Sequence, residues 1–517
     1  MPPPTEITIT RSVDPRTGTA FGPEYRDATP AEVAAAVEAA ADAFVVTRRA
    51  APATIAGLLE AIADGLEALG DDLIDIAVAE TGLDAARITG ERGRTCGQLR
   101  AFAEVARSGA HLDVRIDPAD PDSVPPRPDL RRLQVPVGPV AVWGASNFPL
   151  AFSVPGGDTA SALAAGCPVV AKAHPSHPAT SELCGAVITA AVAVAGLPAG
   201  TFALLHGRDP SVSRTLVTAP GIAAAGFTGS EAAGRALYDL AAARPDPIPV
   251  FAEMGSLNPQ FVTEAAIAER VQDLAAGLVG SFTLGTGQFC TKPGLVFLPA
   301  SAGGRELEAA VTAAAAEVAP SPLLAAGIEA GLRARLGELA GVDGVEVLHA
   351  DRSSEAGAWA GPTLLVTDAD AFARTPVLRE ECFGPATILV RVASPEGMAA
   401  LVPGLPGSLT ASIHATDGDV AHLDDLVGAL QHKVGRVVWN QFPTGVAVTH
   451  AMHHAGPYPA STFVQHTSVG SAAIARFVRP VTFQNAPQAL LPEPLRDDNP
   501  HGRWRLVAGQ LTQDPIG

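Results

Sequence analysis

The chain has 517 residues, which is too long for one hydrophobic core and predicts about two to four domain-sized units. Hydrophobic residues make up 47% and charged residues 17%, a composition that excludes an intrinsically disordered or collagen-like protein. The formal net charge of −19 argues against a nucleic-acid partner, because binding to a phosphate backbone depends on clustered Lys and Arg.

The cysteine pattern and the N-terminal residues bear on the compartment. Five cysteines stand at long spacings with no CxxC pair, so we expect neither a disulfide framework nor a zinc site, and a cytoplasmic location fits. The first residues, MPPPTEITIT, lack the basic and apolar regions of a signal peptide. The uncharged stretches 133–157 and 183–205 are interrupted by Pro and Gly, so we expect no membrane span and no membrane partner.

The N-terminal region reads as helical. Thr29 is a predicted N-cap, followed by Pro30 at the first helical position and by Glu32 in the first turn. Apolar residues then recur at helical spacing as far as residue 83, and a second helical stretch covers 85–108. Residues 113–138 are rich in Pro and Asp and end in the alternating LRRLQV, which predicts an excursion followed by an edge strand or hairpin.

From residue 138 to 249 the chain alternates short strands and helices. The predicted strands are PVAVWG, CPVVAK, TFALLHG and IAAAGFTGS, with helical segments between them. Repeated βα units predict a parallel, doubly wound sheet of the nucleotide-binding type. A second α/β series runs from about 250 to 470 and includes the strands GLVFL, TLLV, TILVRV and GRVVWN. The tail is β-like and then Pro-rich, and we expect it to pack on another subunit.

Four residues stand where chemistry is plausible, and each has a structural alternative. Cys290 follows two closely spaced glycines, where a thiolate can meet a substrate, but a lone cysteine can also be a small buried hydrophobe. Glu253 ends an apolar strand and can act as a base or pair with a cation. Asn147 can donate to an oxyanion or stabilise a turn. Lys172 ends a strand, where open α/β sheets bind ligands.

The usual phosphate-binding loops are missing. The chain has no GxGxxG that opens a βαβ unit and no GxxxxGK[ST]. A dinucleotide would therefore have to bind in another arrangement.

Six motifs in order, GASNFP, CPVVAK, FTGS, AEMGS, GQFC and EECFGP, resemble those of the aldehyde dehydrogenase superfamily, and the resemblance covers nearly the whole chain. It implies an α/β fold with a Rossmann-like cofactor domain, an α/β catalytic domain and a small β oligomerisation arm. The expected boundaries are 1–120 and 141–252 for the cofactor-binding domain, 253–470 for the catalytic domain, and 121–140 with 471–517 for the arm and tail.

The same resemblance implies the roles of individual residues. Cys290 looks like the nucleophile, Asn147 with the backbone N–H of Cys290 like the oxyanion hole, and Glu253 like the base that activates water. The residues expected to bind the cofactor are Ser146, Lys172, His174, Ser176, Gly207, Gly229, Ser230, Met254, Glu381 and Phe383.

Two positions depart from the family pattern. Ser146 stands where many members have tryptophan, and Pro175 stands where many NAD-preferring members have a glutamate that binds the adenine ribose. Without that carboxylate a 2′-phosphate is not repelled, and His174 and Ser176 can contact it. We therefore expect NADP as the cofactor, with NAD possible.

The segments around GASNFP and the C-terminal HHAGPYPAST most resemble members that oxidise 2-oxoglutarate semialdehyde (2,5-dioxopentanoate), which implies a small-molecule aldehyde substrate and a homodimer or homotetramer. The alternatives are an NADP-linked long-chain aldehyde dehydrogenase, a CoA-acylating relative and a non-catalytic member. A substrate carboxylate would need a cation, and Lys292 is near enough in sequence to consider.

His450, His453 and His454 form a histidine cluster. No cysteine or acidic residues accompany them in the sequence, so we expect no metal there. Lining of the active-site mouth or a subunit contact is the expectation instead.

Overall fold

The computed structural model describes residues 8–351 and 357–516. Its first elements are an antiparallel hairpin, Ile9–Asp14 with Thr19–Arg26, and a set of helices. The helices are Pro30–Thr47, Pro52–Ala68, Gly70–Thr81 and Ala85–Ser108. The predicted cap at Thr29 is confirmed, because Thr29 and Glu32 form a reciprocal capping box.

The first large sheet has five parallel strands, which confirms the expectation of a doubly wound unit. In spatial order the strands are Phe202–Leu205, Val169–Lys172, Val140–Trp143, Ala224–Thr228 and Val250–Glu253. The connecting helices are Gly157–Ala164, Pro178–Val194, Pro210–Thr218 and Glu231–Ala242. The central strand Val140–Trp143 is buried along its whole length, as expected for a parallel strand covered on both faces.

The second large sheet has seven strands, and only its first strand runs antiparallel. In spatial order they are Glu346–Ala350, Thr363–Asp368, Ala386–Val392, Leu295–Pro299, Gln260–Val262, Ser408–His414 and Val434–Trp439. The helices of this region are Glu264–Thr283, Ala302–Ala316, Ala326–Ala340, Ala369–Arg374, Pro395–Leu401 and Asp424–Leu430. A two-stranded pair, Ser321–Pro322 with Trp359–Ala360, lies beside it.

A third, smaller sheet joins residues far apart in the chain. Its order is Val478–Gln484, Leu130–Pro136, Arg115–Asp117, Arg505–Val507 and Gln510–Thr512. Of the two expectations for 130–135, the edge strand is wrong, because the tail strand pairs along its outer side, whereas the hairpin is confirmed by its antiparallel pairing with Arg115–Asp117. The sheet also begins at Arg115, inside the range that the sequence assigned to the cofactor region.

The tail packs on its own chain. Leu491 and Leu495 are buried against Ile116 and Leu133 of the third sheet. Within 8–351 and 357–516, no helix combines the length and the apolarity needed to cross a membrane.

Candidate functional site

A cavity of about 1120 Å³ lies between the first sheet and the loops of the second. All but one of the expected catalytic and cofactor-binding residues line it. They are Ser146, Asn147, Lys172, His174, Ser176, Gly229, Ser230, Glu253, Met254, Cys290, Glu381 and Phe383. The exception is Gly207, which lies behind the wall and accepts a hydrogen bond from Lys172 Nζ at 2.8 Å through its carbonyl oxygen.

Strand topology explains why these residues meet. Lys172 and Glu253 are the last residues of their strands, and Asn147 lies just beyond the central strand. Ser230 caps the helix that follows the fourth strand, and its hydroxyl accepts from the N–H of Ala233. The carboxyl ends of parallel strands meet at one edge, so the fold gathers these residues at that edge.

The backbone before Cys290 turns tightly. Gly285, Thr286 and Gly287 all have positive φ, at 57°, 57° and 66°. A Cβ at Gly287 would lie 2.2 Å from the backbone of Gly384, so this position needs glycine. The unusual conformation of Thr286 is held by hydrogen bonds of its hydroxyl at 2.8 Å to the Pro322 carbonyl and the Ser321 hydroxyl.

A buried amide side chain fixes the loop that carries Cys290, hereafter called the nucleophile loop. Asn258 is fully buried, and its Nδ2 donates to the carbonyl oxygens of Cys290 and Lys292 at 2.8 and 2.9 Å. Its Oδ1 accepts from the Ser256 hydroxyl at 2.7 Å. The same Ser256 hydroxyl accepts the backbone N–H of Leu409 at 2.9 Å, which ties the loop to the second sheet.

Cys290, Glu253 and His454 form a three-membered cluster. His454 Nε2 lies 3.5 Å from Cys290 Sγ and 2.9 Å from Glu253 Oε1. Glu253 Oε2 accepts a hydrogen bond from the hydroxyl of Ser468. Both Glu253 and His454 are buried, with 4% and 1% of their surface exposed. A thiol, an imidazole and a carboxylate in contact can move a proton away from sulfur and later take one from water.

Burial sets the protonation of this cluster. Burial, and then the neighbouring charge of Glu253, raise the pKa of the Cys290 thiol well above its usual value. Burial alone would raise the pKa of Glu253, but the charge of His454 and hydrogen bonds from His454, Ser468 and Cys290 hold that pKa below its usual value. The cluster therefore rests as a thiol beside a carboxylate, and the thiol needs a proton acceptor before it can attack.

The predicted oxyanion donor lies beside this cluster. Asn147 Nδ2 donates to the carbonyl oxygen of Gln288 at 2.8 Å, which fixes the amide next to the nucleophile loop. An amide nitrogen has two hydrogens, so the second can reach an oxyanion formed at Cys290.

The far end of the cavity is cationic. Lys172 lines it, and burial lowers the pKa of this lysine to about 8. Arg208 and Arg214 line the same end. His174 is also there, but burial lowers its pKa well below the usual value, so it contributes a neutral ring and no charge. Three basic side chains in one recess form a place for phosphate groups.

A carboxyl group lies at the middle of the cavity. Burial raises the pKa of Glu381 to about 7, opposed in part by the charge of Lys292. Gly255 makes room for it, since a Cβ there would lie 2.7 Å from Glu381 Oε2. Sugar hydroxyls are suitable partners for a carboxyl group in this position.

Lys292 does not face a substrate, so the suggestion that it meets a substrate carboxylate is wrong. Its Nζ is buried and donates to the carbonyl oxygens of Cys382 and Ala386 at 2.9 and 2.7 Å. Desolvation is the main cause of its lowered pKa. Lys292 therefore supports the loop and leaves any carboxylate to another cation.

Sequence reasoning missed several residues of the site. His454 was expected at the cavity mouth or in a subunit contact, yet it contacts Cys290 in the interior. Asn258 stands two residues after the AEMGS motif, in SLNP, where a polar residue between apolar neighbours was the available signal. Arg208 and Arg214 gave no local signal, because surface arginines look the same in sequence.

The same cluster bears on the metal expectation. One ligand atom from each of Glu253, Cys290 and His454 lies within 4.8 Å of the others. Sulfur, nitrogen and carboxylate oxygen are donors that transition metals accept. The expectation of no metal therefore stays a prediction.

Comparison with known proteins shows the family to which the chain belongs. The profile described as the aldehyde dehydrogenase family matches residues 4–477. The chain belongs to the aldehyde dehydrogenase family. It is an oxidoreductase, and enzymes of this family act on aldehydes with NAD(P) as cofactor.

Two curated relatives match over nearly their full length. Alpha-ketoglutaric semialdehyde dehydrogenase 2 of Azospirillum brasilense is 48% identical over 97% of this chain and 96% of its own. The alpha-ketoglutaric semialdehyde dehydrogenase of Acinetobacter baylyi is 43% identical over 95% and 93%.

Solved structures agree on the fold. A 1-pyrroline-5-carboxylate dehydrogenase of Thermus thermophilus aligns with a TM-score of 0.80 at 20% identity, over 92% of this chain and 90% of its own. A 3,6-anhydro-L-galactose dehydrogenase aligns with a TM-score of 0.78 at 21% identity, over 93% and 97%. At this identity the likeness confirms the α/β architecture of the enzyme.

The resting protonation of the cluster leads to a first prediction. In enzyme without cofactor, we expect iodoacetamide to alkylate Cys290 slowly at pH 7 and faster as the pH rises, because its raised pKa keeps the thiol protonated. His454→Asn removes the ring N–H that lies next to sulfur and holds Glu253, and it should lower kcat about 100-fold. The alkylation rate from pH 6 to 10 and steady-state kinetics measure both effects.

His450→Asn is the matched control, because His450 belongs to the same segment but is exposed and pairs with Ser471. Cys290→Ser should abolish the labelling. Fast labelling at pH 7, or equal losses in the His450 and His454 variants, would contradict the arrangement described for the cluster.

The Asn258 contacts lead to a second prediction. Asn258→Ala leaves the carbonyls of Cys290 and Lys292 without partners, which should lower the free energy of unfolding by about 1–3 kcal/mol per group. Urea unfolding measures this change. Asn440→Ala, outside the nucleophile loop, is the comparison. For the same loss in free energy of unfolding, Asn440→Ala should lose less activity than Asn258→Ala. An Asn258 variant with unchanged stability and activity would refute the role of this amide.

Proposed function

We propose that the enzyme oxidises 2-oxoglutarate semialdehyde to 2-oxoglutarate with NADP, through a thioester on Cys290 that water hydrolyses. The observation that carries the proposal is the contact of Cys290 with His454 and Glu253 at the wall of a cavity with a cationic far end. The names of the two relatives that match over nearly the full length support the substrate.

The first step forms a carbon–sulfur bond. As sulfur attacks the aldehyde carbon, its proton is released to solvent, and the Nε2–H of His454, in contact with Cys290 Sγ, stabilises the thiolate. The aldehyde oxygen becomes an oxyanion, which the free hydrogen of the Asn147 amide and the backbone N–H of Cys290 stabilise. The product of this step is a hemithioacetal bound to the enzyme.

The second half releases the acid. NADP, which Lys172, Arg208, Arg214 and Glu381 would hold, would supply the hydride acceptor for the hemithioacetal carbon, and loss of that hydride would leave a thioester on Cys290. Glu253 then takes a proton from water, the resulting hydroxide attacks the thioester, and the carbon–sulfur bond breaks. The sum is one aldehyde, one water and one oxidised cofactor consumed, with one carboxylic acid, one reduced cofactor and one proton formed.

The residues at the far end of the cavity fit NADP. Lys172, Arg208 and Arg214 supply positive charge, while Pro175 brings no carboxylate that would repel a 2′-phosphate. The N-terminus of the helix Glu231–Ala242, capped by Ser230, adds N–H groups for a pyrophosphate. Glu381 in the middle suits the hydroxyls of the second ribose, beside Phe383.

The alternatives are less well supported. A long-chain aldehyde would need an apolar tunnel, whereas helix 85–108 brings charged side chains next to the aromatic rings near Cys290. A CoA-acylating enzyme does not need a water-activating base, yet Glu253 lies next to His454 and Cys290. A non-catalytic role would leave this buried cluster without a purpose.

We further propose a homodimer or homotetramer in a reducing, cytoplasmic environment. The tail strand Val478–Gln484 and the strand Val434–Trp439 are the outer strands of their sheets. Val437 and Trp439 on the latter are 39% and 40% exposed, which suits a contact with another copy. The five cysteines are all free, as expected without oxidising conditions.

The central test of the proposal uses Glu253→Gln. Without the base, the thioester should form but hydrolyse slowly, so NADPH should appear in a burst of about one equivalent per active site, followed by a rate reduced about 100-fold or more. Rapid-mixing absorbance at 340 nm with 2-oxoglutarate semialdehyde measures both phases. Wild-type enzyme with no activity on this substrate would overturn the proposed substrate.

CoA distinguishes the acylating alternative. Its addition to the wild type should leave 2-oxoglutarate as the product, and acyl-CoA formation at a comparable rate would overturn the hydrolytic mechanism.

The cofactor proposal has its own test. Pro175→Glu places a carboxylate in the cationic end and should lower kcat/KM for NADP at least about tenfold relative to NAD, by repulsion of the 2′-phosphate. Pro175→Ala is the matched control and should keep the preference of the wild type. A wild-type preference for NAD would overturn the assignment of NADP.

A further inference from the structure

The proposed substrate carries a carboxylate at the end away from the aldehyde, and the cation that binds it is still to be found. Lys292 is excluded, because two backbone carbonyls already hold its ammonium group. Lys172 is among the residues proposed to bind the cofactor, and its ammonium group donates to the carbonyl oxygens of Ala173 and Gly207. The assignment of a residue to this carboxylate rests on the proposed function.

One face of the helix Ala85–Ser108 carries Arg87, Glu91, Arg94 and Gln98, at spacings of four, three and four residues. Glu91 on this face is already bound on both oxygens. Its Oε1 accepts the backbone N–H groups of residues 150 and 151 at 2.9 and 2.8 Å, and its Oε2 contacts Arg87 Nη1 at 2.6 Å. The acidic neighbour of Arg94 is therefore committed to other donors.

Arg94 differs from the other arginines of this helix. Its Nη1 is buried, and within 8–351 and 357–516 it has no hydrogen-bond partner. An unpaired buried donor is costly, and a charged one more so, unless a ligand or water pairs with it. Desolvation lowers the pKa of Arg94, opposed in part by the charge of Glu91 and then by that of Glu253.

A continuous series of contacts links Arg94 to the nucleophile. The guanidinium carbon lies 4.9 Å from the centre of the Phe152 ring. That ring is 6.1 Å from the ring of His454, whose Nε2 lies 3.5 Å from Cys290 Sγ. The ring of Phe148 lies 5.2 Å from that of Phe152 and 5.1 Å from that of Phe289, and these three rings form an aromatic wall.

We propose that Arg94 binds the carboxylate of the substrate through its guanidinium, while the aromatic wall contacts the methylene groups and Cys290 meets the aldehyde. A planar guanidinium donates two parallel hydrogen bonds to a carboxylate, and the burial of Arg94 Nη1 strengthens the bond that this atom makes. The enzyme thereby selects aldehydes that end in a carboxylate over uncharged aldehydes of the same length.

Three other arginines near the site are weaker candidates. Arg335 lines the cavity, but its Nη atoms donate to Glu338 and to the Val377 carbonyl. Arg87 is neutralised by Glu91 and packs over the Phe148 ring at 4.4 Å. Arg436 donates from both Nη atoms to the carbonyls of Pro443 and Gly445, so both ends of its guanidinium are already engaged. In each of these arginines, protein groups already occupy part of the guanidinium.

The test compares Arg94→Gln and Arg94→Lys with the wild type. The substrates are 2-oxoglutarate semialdehyde, succinic semialdehyde and pentanal, which is uncharged. In Arg94→Gln we expect KM for the two charged aldehydes to rise about 100-fold with kcat changed less than about threefold, and kcat/KM for pentanal to stay within about threefold. Arg94→Lys should recover part of the loss, because it keeps the charge but not the fork.

Arg100→Gln is the matched control, since Arg100 lies on the same helix and pairs with Glu67 and Asp64 at the surface. It should change neither kind of substrate. Fluorescence titration with NADPH verifies that each variant is folded and binds cofactor. If Arg94→Gln fails to bind NADPH, the comparison is made with Arg94→Lys, where a selective rise of KM for the charged aldehydes supports the proposal.

Several outcomes would overturn the assignment. Equal losses on charged and uncharged aldehydes would mean that Arg94 positions the helix or Phe152 rather than the substrate. A selective loss in Arg87→Gln or Arg436→Gln, with Arg94→Gln unaffected, would move the carboxylate site to that residue. A wild type that prefers pentanal would instead refute the proposed function, so the two failures are distinguishable.

Discussion

The active centre depends on one buried amide. Asn258 holds the carbonyls of Cys290 and Lys292 and is held in turn by Ser256, so it links the nucleophile loop to the strand that carries Leu409. The loop itself has three successive residues with positive φ and cannot hold its shape by local preference alone. The second sheet provides the rigid base, and the amide transfers that rigidity to the loop.

Two sheets supply complementary halves of the chemistry. The strand ends of the first sheet deliver Lys172, Asn147 and Glu253, while the second sheet and its loops deliver Cys290 and Glu381. A third contribution comes from the segment after residue 450, which brings His454 and Ser468 to Glu253. Helix 85–108 adds a charged face on the remaining side. Burial raises the pKa of the Cys290 thiol only because these parts of the chain meet around it.

Much of this could be predicted from the sequence, and the omissions have physical causes. The doubly wound sheet followed from alternating apolar runs, and the ordered motifs placed nearly all the predicted residues around one cavity. The strand Ser408–His414 was not named from the sequence, because its alternating polar residues interrupt the apolar run expected of a buried strand. In the structure the polar residues are buried as well, and Thr410 is hydrogen-bonded to Asn258. His454 and Arg94 were missed as participants, because a distant pairing or an unpaired donor leaves no mark in local sequence.

The raised pKa of Cys290 also affects how long the enzyme survives. Cys290 is the one cysteine of the five that is not fully buried, and oxidants such as peroxide therefore reach it first. Peroxide reacts with thiolates far faster than with thiols, so a cysteine that stays protonated at rest is oxidised slowly. By delaying deprotonation until an aldehyde is present, the cluster confines the reactive form of sulfur to the catalytic cycle. The contacts of Cys290 with Glu253 and His454 thus serve both its protection from oxidation and its reaction with the aldehyde.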